Sequence, residues 1–236
     1  MIELRGATVT APSSHGAVTI LHPTDLVLEE RTISIIGGNG SGKSTLARLF
    51  NGLIEPSSGS VTVSARHPSG SQESLDTRRD GAAVRRTVGF VFTDPAAQLI
   101  MPTVIEDVSL SLRRAHRDKS ERQAAAMAVL ERFGISELSD HSVHTLSGGQ
   151  KQLLAIASVL ATDPAILVAD EPTTLLDLKN SRTIGDLLMS LPQQVCVVTH
   201  DLALAARAER TLVIDDGRVV FDATPDAAIA HYRERV

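Results

Sequence analysis

The chain has 236 residues, 42% hydrophobic and 22% charged, with 23 Lys and Arg against 28 Asp and Glu, for a net charge of -5. That is enough apolar material for a sizeable core and excludes disorder of the whole chain, while the acidic balance and 3% aromatic content speak against a basic nucleic-acid coat or a base-stacking surface. The single cysteine, Cys196, excludes an internal disulfide framework or a cysteine-built zinc cluster, no apolar run reaches the ~18 residues of a membrane-spanning helix, and Met1-Ile2-Glu3 lacks the basic start of a signal peptide.

In chain order, the first clear element is the apolar run Ile33-Ser34-Ile35-Ile36, which ends in a glycine-rich turn. That turn, Gly37-Gly38-Asn39-Gly40-Ser41-Gly42-Lys43-Ser44, has the spacing of a phosphate-binding loop, with a strand before it and a helical pattern after it through Thr45, Leu46, Leu49 and Phe50. Glycines let backbone N–H groups approach phosphate oxygens, and the helix N-terminus faces the same anion. Lys43 can reach the β- and γ-phosphates of a nucleotide, and the Ser44 hydroxyl can bind Mg²⁺. Residues 64–86 are polar and read as a long surface loop with room for a short helix.

The run 87–92 reads as a strand. Residues 103–145 lack strand runs, and Thr103-Val104-Ile105-Glu106 is a capping-box pattern opening a helix. Glu121–Phe133 is helical in composition, and Gly134 fits its C-terminal end. A helical subdomain over about 96–160, inserted into an α/β core, is the expectation. Leu146-Ser147-Gly148-Gly149-Gln150 then opens a helical pattern running to Ala161. Ser147 and Gln150 alone suit a capping box, but a helix N-terminus is also an anion site. The apolar run 165–169 leads directly into Asp170-Glu171, and 195–199 leads into His200-Asp201. In a parallel sheet these strand ends share the ligand-binding rim. Asp170 can hold Mg²⁺, Glu171 can orient an attacking water, and His200 can reach a γ-phosphate. Finally, Asp216-Gly217 between apolar runs 211–215 and 218–221 is a hairpin signal. His141 and His144 lack a third ligand nearby and read as structural.

Taken together, Gly37–Ser44, Leu146–Gln150, Ile166–Glu171 with Pro172-Thr173, Asp177 and His200, in that order and spacing, resemble an ATP-binding-cassette (ABC) ATPase over about Met1 to Pro225. The resemblance implies one nucleotide-binding domain over 1–236. Its fold would be a P-loop cassette with a mostly parallel core sheet, antiparallel N-terminal strands and the inserted helical part. It implies ATP and Mg²⁺ as ligands, Gly37, Asn39, Gly40, Ser41, Gly42, Lys43, Ser44 and Thr45 around the nucleotide, and Ser44 with Asp170 on the metal. It also implies a head-to-tail pair of cassettes. Ser147, Gly148, Gly149 and Gln150 would face the partner's ATP, Asp177 would lie in the loop crossing the interface, Glu171 would be the catalytic base and His200 the switch histidine. The pairing is open between a homodimer and a heterodimer.

The segment Val88–Pro95, with Gln98, Pro102-Thr103-Val104 and Glu106-Asp107-Val108, is similar to ATPases of energy-coupling-factor importers, which take up vitamins and transition-metal ions. The short C-terminus resembles the single-ATPase systems for biotin or cobalt. Integral membrane subunits would then be partners, nucleic acid would not, and the chain would sit peripherally on the cytoplasmic face of the membrane. A soluble cassette ATPase of DNA repair or iron–sulphur assembly is the alternative, and a P-loop kinase gives no reason for Leu146–Gln150.

Two departures from that family stand out. No aromatic occupies Thr8–Leu21, where the family commonly stacks adenine. Ala11 or Pro12 falls at that place, with His15 a weak substitute, which implies weak discrimination between ATP and GTP. Thr93 stands where the family places a Gln that touches Mg²⁺ and water, and a hydroxyl lacks the amide's paired donor and acceptor. Gln98 is the nearest substitute. The expected outcome is that Thr93→Gln raises ATP turnover or tightens its coupling to transport, and unchanged rates in both assays would overturn that role for Thr93.

Overall fold

A computed structural model describes residues 1–14, 16–66 and 72–235. In chain order the elements are β1 (Ile2–Ser13), β2 (Gly16–Leu28), β3 (Thr32–Gly37), α1 (Lys43–Asn51), β4 (Ser58–Arg66), β5 (Gln72–Asp76), α2 (Gly81–Thr87) and β6 (Val88–Val91). They continue with α3 (Val104–Ser111), α4 (Lys119–Arg132), α5 (Gly148–Leu160), β7 (Ile166–Asp170) and α6 (Leu178–Ser190). The last are β8 (Gln194–Val198), α7 (Leu202–Ala205), β9 (Arg210–Asp215), β10 (Arg218–Ala223) and α8 (Pro225–Arg233).

Two sheets result. The first is antiparallel where its pairings are described, in the order β2-β1-β4-β5. Its strands alternate, with Ile2, Leu4, Val9, Leu21, Leu26 and Leu28 buried and polar residues between them, as one-sided strands require. The second has six strands in the order β10-β9-β3-β8-β7-β6. β3 runs parallel to β8 and β9, β7 runs parallel to β8, and β9 and β10 form the antiparallel hairpin that Asp216-Gly217 signalled. β3 and β7 are buried at every residue, and β8 at all but its first, which is the pattern of strands covered on both faces. Ile35 and Asp170 both pair with Val198, so the C-terminal ends of β3, β8 and β7 lie along one rim.

Contacts divide the chain into two compact units. The first comprises Met1–Phe90, Ala165–Glu171 and Leu188–Val236. Its core sets Leu46, Leu49 and Phe50 of α1 among Ile33, Ile35, Val168 and Val198. The second comprises Val91–Pro164 and Pro172–Leu187, with a core of Val104, Val108, Leu130, Leu146 and Leu154 from α3, α4, α5 and the segment leading into α5. The Glu106 side chain accepts from the backbone N–H and hydroxyl of Thr103 at the start of α3. Gly134 follows α4 with φ +68°.

The expected loop over 64–86 is corrected in part: α2 is the short helix it left room for, but strands stand where loop was expected before it. The described part of that stretch holds the end of β4, all of β5 and α2. Backbone pairing such as Ser64 with Ser74 and Thr62 with Asp76 builds the strand pair. Among the residues of that stretch whose burial is described, Leu75 and Val84 are the only large buried apolar side chains, so hydrophobic periodicity is nearly silent there. Residues 67–71 lie outside the described ones.

Cys196 sits on β8 in the middle of the six-stranded sheet and is fully buried. Burial pushes its thiol up to about 12, so the nucleophilic thiolate is scarce near neutrality. The native chain at pH 8 is expected to ignore a disulfide-exchange reagent, and to release one thiol only after unfolding. Rapid labelling of the native chain would contradict that placement.

Candidate functional site

In the first unit the phosphate-loop segment connects the end of β3 to α1. Lys43 is buried, and its Nζ donates to the carbonyl oxygens of Gly37 (2.9 Å) and Gly38 (2.7 Å), which fixes the ammonium beneath the loop. Burial lowers the pKa of Lys43 below that of an ordinary lysine, and the carboxylates of Glu171 and Asp170 oppose that shift. Gly40, Ser41, Gly42, Lys43, Ser44 and Thr45 line a cavity of about 250 Å³ together with Ile20 of β2. Gly37 lies at the end of β3 and Asn39 is exposed on the loop, and neither lines that cavity. The Ser41 hydroxyl is buried without a hydrogen-bond partner among the described residues, and so has a donor left to give.

The Ser44 hydroxyl donates to Asp170 Oδ1 at 2.8 Å. Asp170 is only 1% exposed at the end of β7. Burial raises the pKa of its carboxyl group, and the Ser44 hydrogen bond, the Arg48 guanidinium and the Lys43 ammonium pull it back down. Arg48 Nη2 lies 3.8 Å from Asp170 Oδ2. Glu171 follows in a left-handed conformation, φ +53°, with its backbone N–H donating to the carbonyl of Val198 at 2.9 Å. Its Oε2 accepts from the backbone N–H of His200 at 3.3 Å and lies 2.8 Å from His200 Nδ1. The two adjacent acids therefore do part in direction: Asp170 turns inward to Ser44, and Glu171 turns along the rim to His200.

The second unit carries the remaining candidates. Ser147 caps α5: its hydroxyl accepts from the backbone N–H of Gln150 (3.3 Å), while Gln150 Oε1 accepts from the backbone N–H of Ser147 (2.9 Å). Gly148 and Gly149 form the first turn of α5. Asp177 stands just before α6 and accepts from Asn180 through both carboxylate oxygens. Leu175 and Leu178, beside it, are 63% and 69% exposed. Thr93 is half-buried after β6. Gln98 accepts from the backbone N–H of Phe92 at 3.1 Å and donates to the carbonyl of Ala155 at 3.5 Å, so both ends of its amide are engaged by the chain itself.

Three contributors escaped the sequence reading. Ile20 lines the cavity from β2, an aliphatic residue within the segment that holds no aromatic. Ala11 and Pro12 lie on β1 opposite Val18 and Ala17, and His15 lies outside the described residues. Arg48 projects from α1 onto Asp170, and one helical turn after Ser44 was the only signal for it. Gly217 holds the loop from behind. Its N–H donates to the carbonyl of Ser41 (2.9 Å), and its carbonyl accepts from the N–H of His22 (2.8 Å).

A strand, a glycine loop and a helix, with a buried lysine and a Ser–Asp pair at the adjoining strand end, define a P-loop nucleoside triphosphatase. Residues 24–174 match the ABC transporter family. The chain is 44% identical over 225 residues to the biotin transport ATP-binding protein BioM of Rhizobium etli, covering 95% of this chain and 96% of that one. It is 38% identical over 209 residues to the energy-coupling factor transporter ATP-binding protein EcfA1 of Lactiplantibacillus plantarum, covering 87% of this chain and 72% of that one. The dimeric post-hydrolysis structure of an ATP-binding cassette bound to ADP and Pi aligns with a TM-score of 0.82 at 32% identity, covering 95% of this chain and 99% of the other. This chain belongs to the ABC transporter family, and it is an ATP-binding ATPase.

The contact at Gly217 gives a direct test of how the loop is held. Its φ is +67°, and a Cβ there would lie 2.4 Å from the Ile20 carbonyl oxygen. Gly217→Ala is expected to lower the unfolding free energy by about 1–3 kcal/mol, the size of a left-handed strain with a backbone clash. It should also weaken ATP binding several-fold by displacing Ser41. Unchanged stability and affinity would show that the hairpin does not brace the loop.

Proposed function

We propose that the chain is the energy-coupling ATPase of a membrane importer of the energy-coupling-factor type, docked peripherally on integral membrane subunits at the cytoplasmic face. The observation that carries the chemical part is the convergence of Lys43, Ser44, Asp170, Glu171 and His200 on one sheet rim. The likeness to BioM, a biotin transport ATP-binding protein, and to EcfA1 supports the importer part; the cargo in this reading is a vitamin such as biotin, or a transition-metal ion such as cobalt.

Mg²⁺ fits the donor set: the Ser44 hydroxyl and the Asp170 carboxylate are hard oxygen ligands already 2.8 Å apart. They would hold the ion, which would supply neutralisation of phosphate charge. The loop amides, Lys43 and the spare Ser41 hydroxyl bind the phosphates of ATP. Thr45 and Ile20 flank the nucleotide, with Gly37, Asn39, Gly40 and Gly42 shaping the loop. Glu171 takes the proton of the attacking water. His200, whose side chain is 59% exposed, stays tethered to Glu171 through Nδ1 and can turn toward the γ-phosphate. Ser147, Gly148, Gly149 and Gln150 complete the site of a second copy in a head-to-tail pair, and Asp177 crosses between the copies. ATP draws the pair closed because the γ-phosphate is bound from both sides only in that state, and its loss reopens the pair.

The experiment is purification of the tagged chain from detergent-solubilised membranes of its host, with mass spectrometry of what accompanies it. Integral membrane subunits are expected, and the complex should hydrolyse ATP. The Glu171→Gln complex should bind ATP but turn over about 10²–10⁴-fold more slowly, the usual worth of a general base. Recovery only as a membrane-free chain would overturn the importer reading, and near-normal turnover of Glu171→Gln would overturn the assignment of the base.

A further inference from the structure

Gly149 is not in a left-handed conformation, so backbone torsion does not require a glycine there. Space does. A Cβ on Gly149 would lie 2.6 Å from both Cγ and Oδ1 of Asn180 and 3.0 Å from its Nδ2. The same Asn180 donates its backbone N–H to Asp177 Oδ1 at 2.8 Å and its Nδ2 to Asp177 Oδ2 at 2.9 Å. One side chain thus fills the notch in the first turn of α5 and holds one oxygen of the Asp177 carboxylate just before α6, while the backbone N–H of the same residue holds the other. A second, looser contact runs alongside: a Cβ on Gly148 would meet the Leu175 carbonyl oxygen at 3.6 Å, an ordinary van der Waals distance. All of these residues belong to the second unit.

We propose that Asn180 is a positioning residue. It locks the Asp177 loop to the Ser147–Gly149 turn, so that the two elements presented to a second copy move as one piece. The proposal rests on the reading that those elements face the partner's nucleotide. An aspartate with both oxygens held by one neighbour has lost its rotamer freedom before the partner arrives, so less entropy is lost on closure. Each oxygen keeps a second lone pair for a partner's donor. Asn180 touches no nucleotide in this arrangement and acts through Asp177 and Gly149.

The test uses the full chain with Asn180→Ala, and with the isosteric Asn180→Asp, which retains size but replaces the Nδ2 donor with a charge facing Asp177. Readouts are fluorescent-ATP affinity of the single chain, ATP-driven dimer formation in a Glu171→Gln background, and the split between kcat and KM. The expected result is single-chain nucleotide affinity within twofold of the parent, a dimerisation constant at least tenfold weaker, and kcat down about tenfold, with Asn180→Asp at least as impaired as Asn180→Ala. Parent-like dimerisation and kcat in both variants would overturn the proposal. So would an equal loss of single-chain nucleotide affinity and melting temperature, since that marks general structural damage. Ser147→Arg separates the two layers. If that chain still dimerises with ATP and turns over normally, the reading of the partner-facing turn fails, whatever Asn180 does.

Discussion

A carboxylate sealed from water must be partnered, and Asp170 is the point around which the rim of the six-stranded sheet is organised. It lies at the end of a strand buried along its whole length, so solvent cannot stabilise its charge. Ser44 supplies a hydrogen bond to one oxygen, and Arg48 supplies a cation near the other. Both come from α1, and α1 can deliver them only if β3 and β7 end at the same height. The in-register parallel pairing of β3 and β7 with β8 provides that height. Sheet register, helix entry and charge balance are therefore parts of one constraint, and the Lys43 ammonium beneath the glycine loop closes it by balancing the acids electrostatically.

A second constraint comes from close backbone approach. The loop between β3 and α1 is held from behind by the turn of the β9–β10 hairpin and by β2. A Cβ on Gly42 would meet the Ile20 carbonyl oxygen at 3.0 Å and Gly217 Cα at 3.4 Å. Three segments far apart in sequence thus meet backbone to backbone, with no room for side chains between them. The antiparallel sheet contributes to the phosphate-loop cavity through this contact and through Ile20, although it carries none of the charged groups of the rim.

Much of this was legible in the sequence for a physical reason. Strands buried on both faces must be continuously apolar, so 33–36, 165–169 and 195–199 announced themselves, and the polar residues that follow them could only be rim groups. The glycine loop was legible because its spacing leaves few alternatives. What stayed hidden was held by backbone or by single cross-chain contacts. The β4–β5 pair buries Val61, Val63 and Leu75, but β5 itself offers Leu75 among polar residues, too little for its strand period to show in the sequence. Ile20 looks like any aliphatic strand residue until the fold sets it beside Ser41 and Gly42. Arg48 looks like a helix-surface cation. Asn180 gives no sign that it fills a gap at Gly149, because nothing in a sequence says which side chain occupies the space a glycine leaves.

The left-handed backbone at Glu171 sets two demands on one residue against each other. A non-glycine residue in that region is held there at a cost of about 1–2 kcal/mol. A glycine would adopt the same torsion without that cost, and would remove the carboxylate paired with His200. With Glu171 as the base proposed above, a search for sturdier variants of this chain would be drawn to position 171 and would return molecules that last longer and hydrolyse no ATP. On that proposed role, keeping a glutamate there makes a small, permanent instability part of how the chain works.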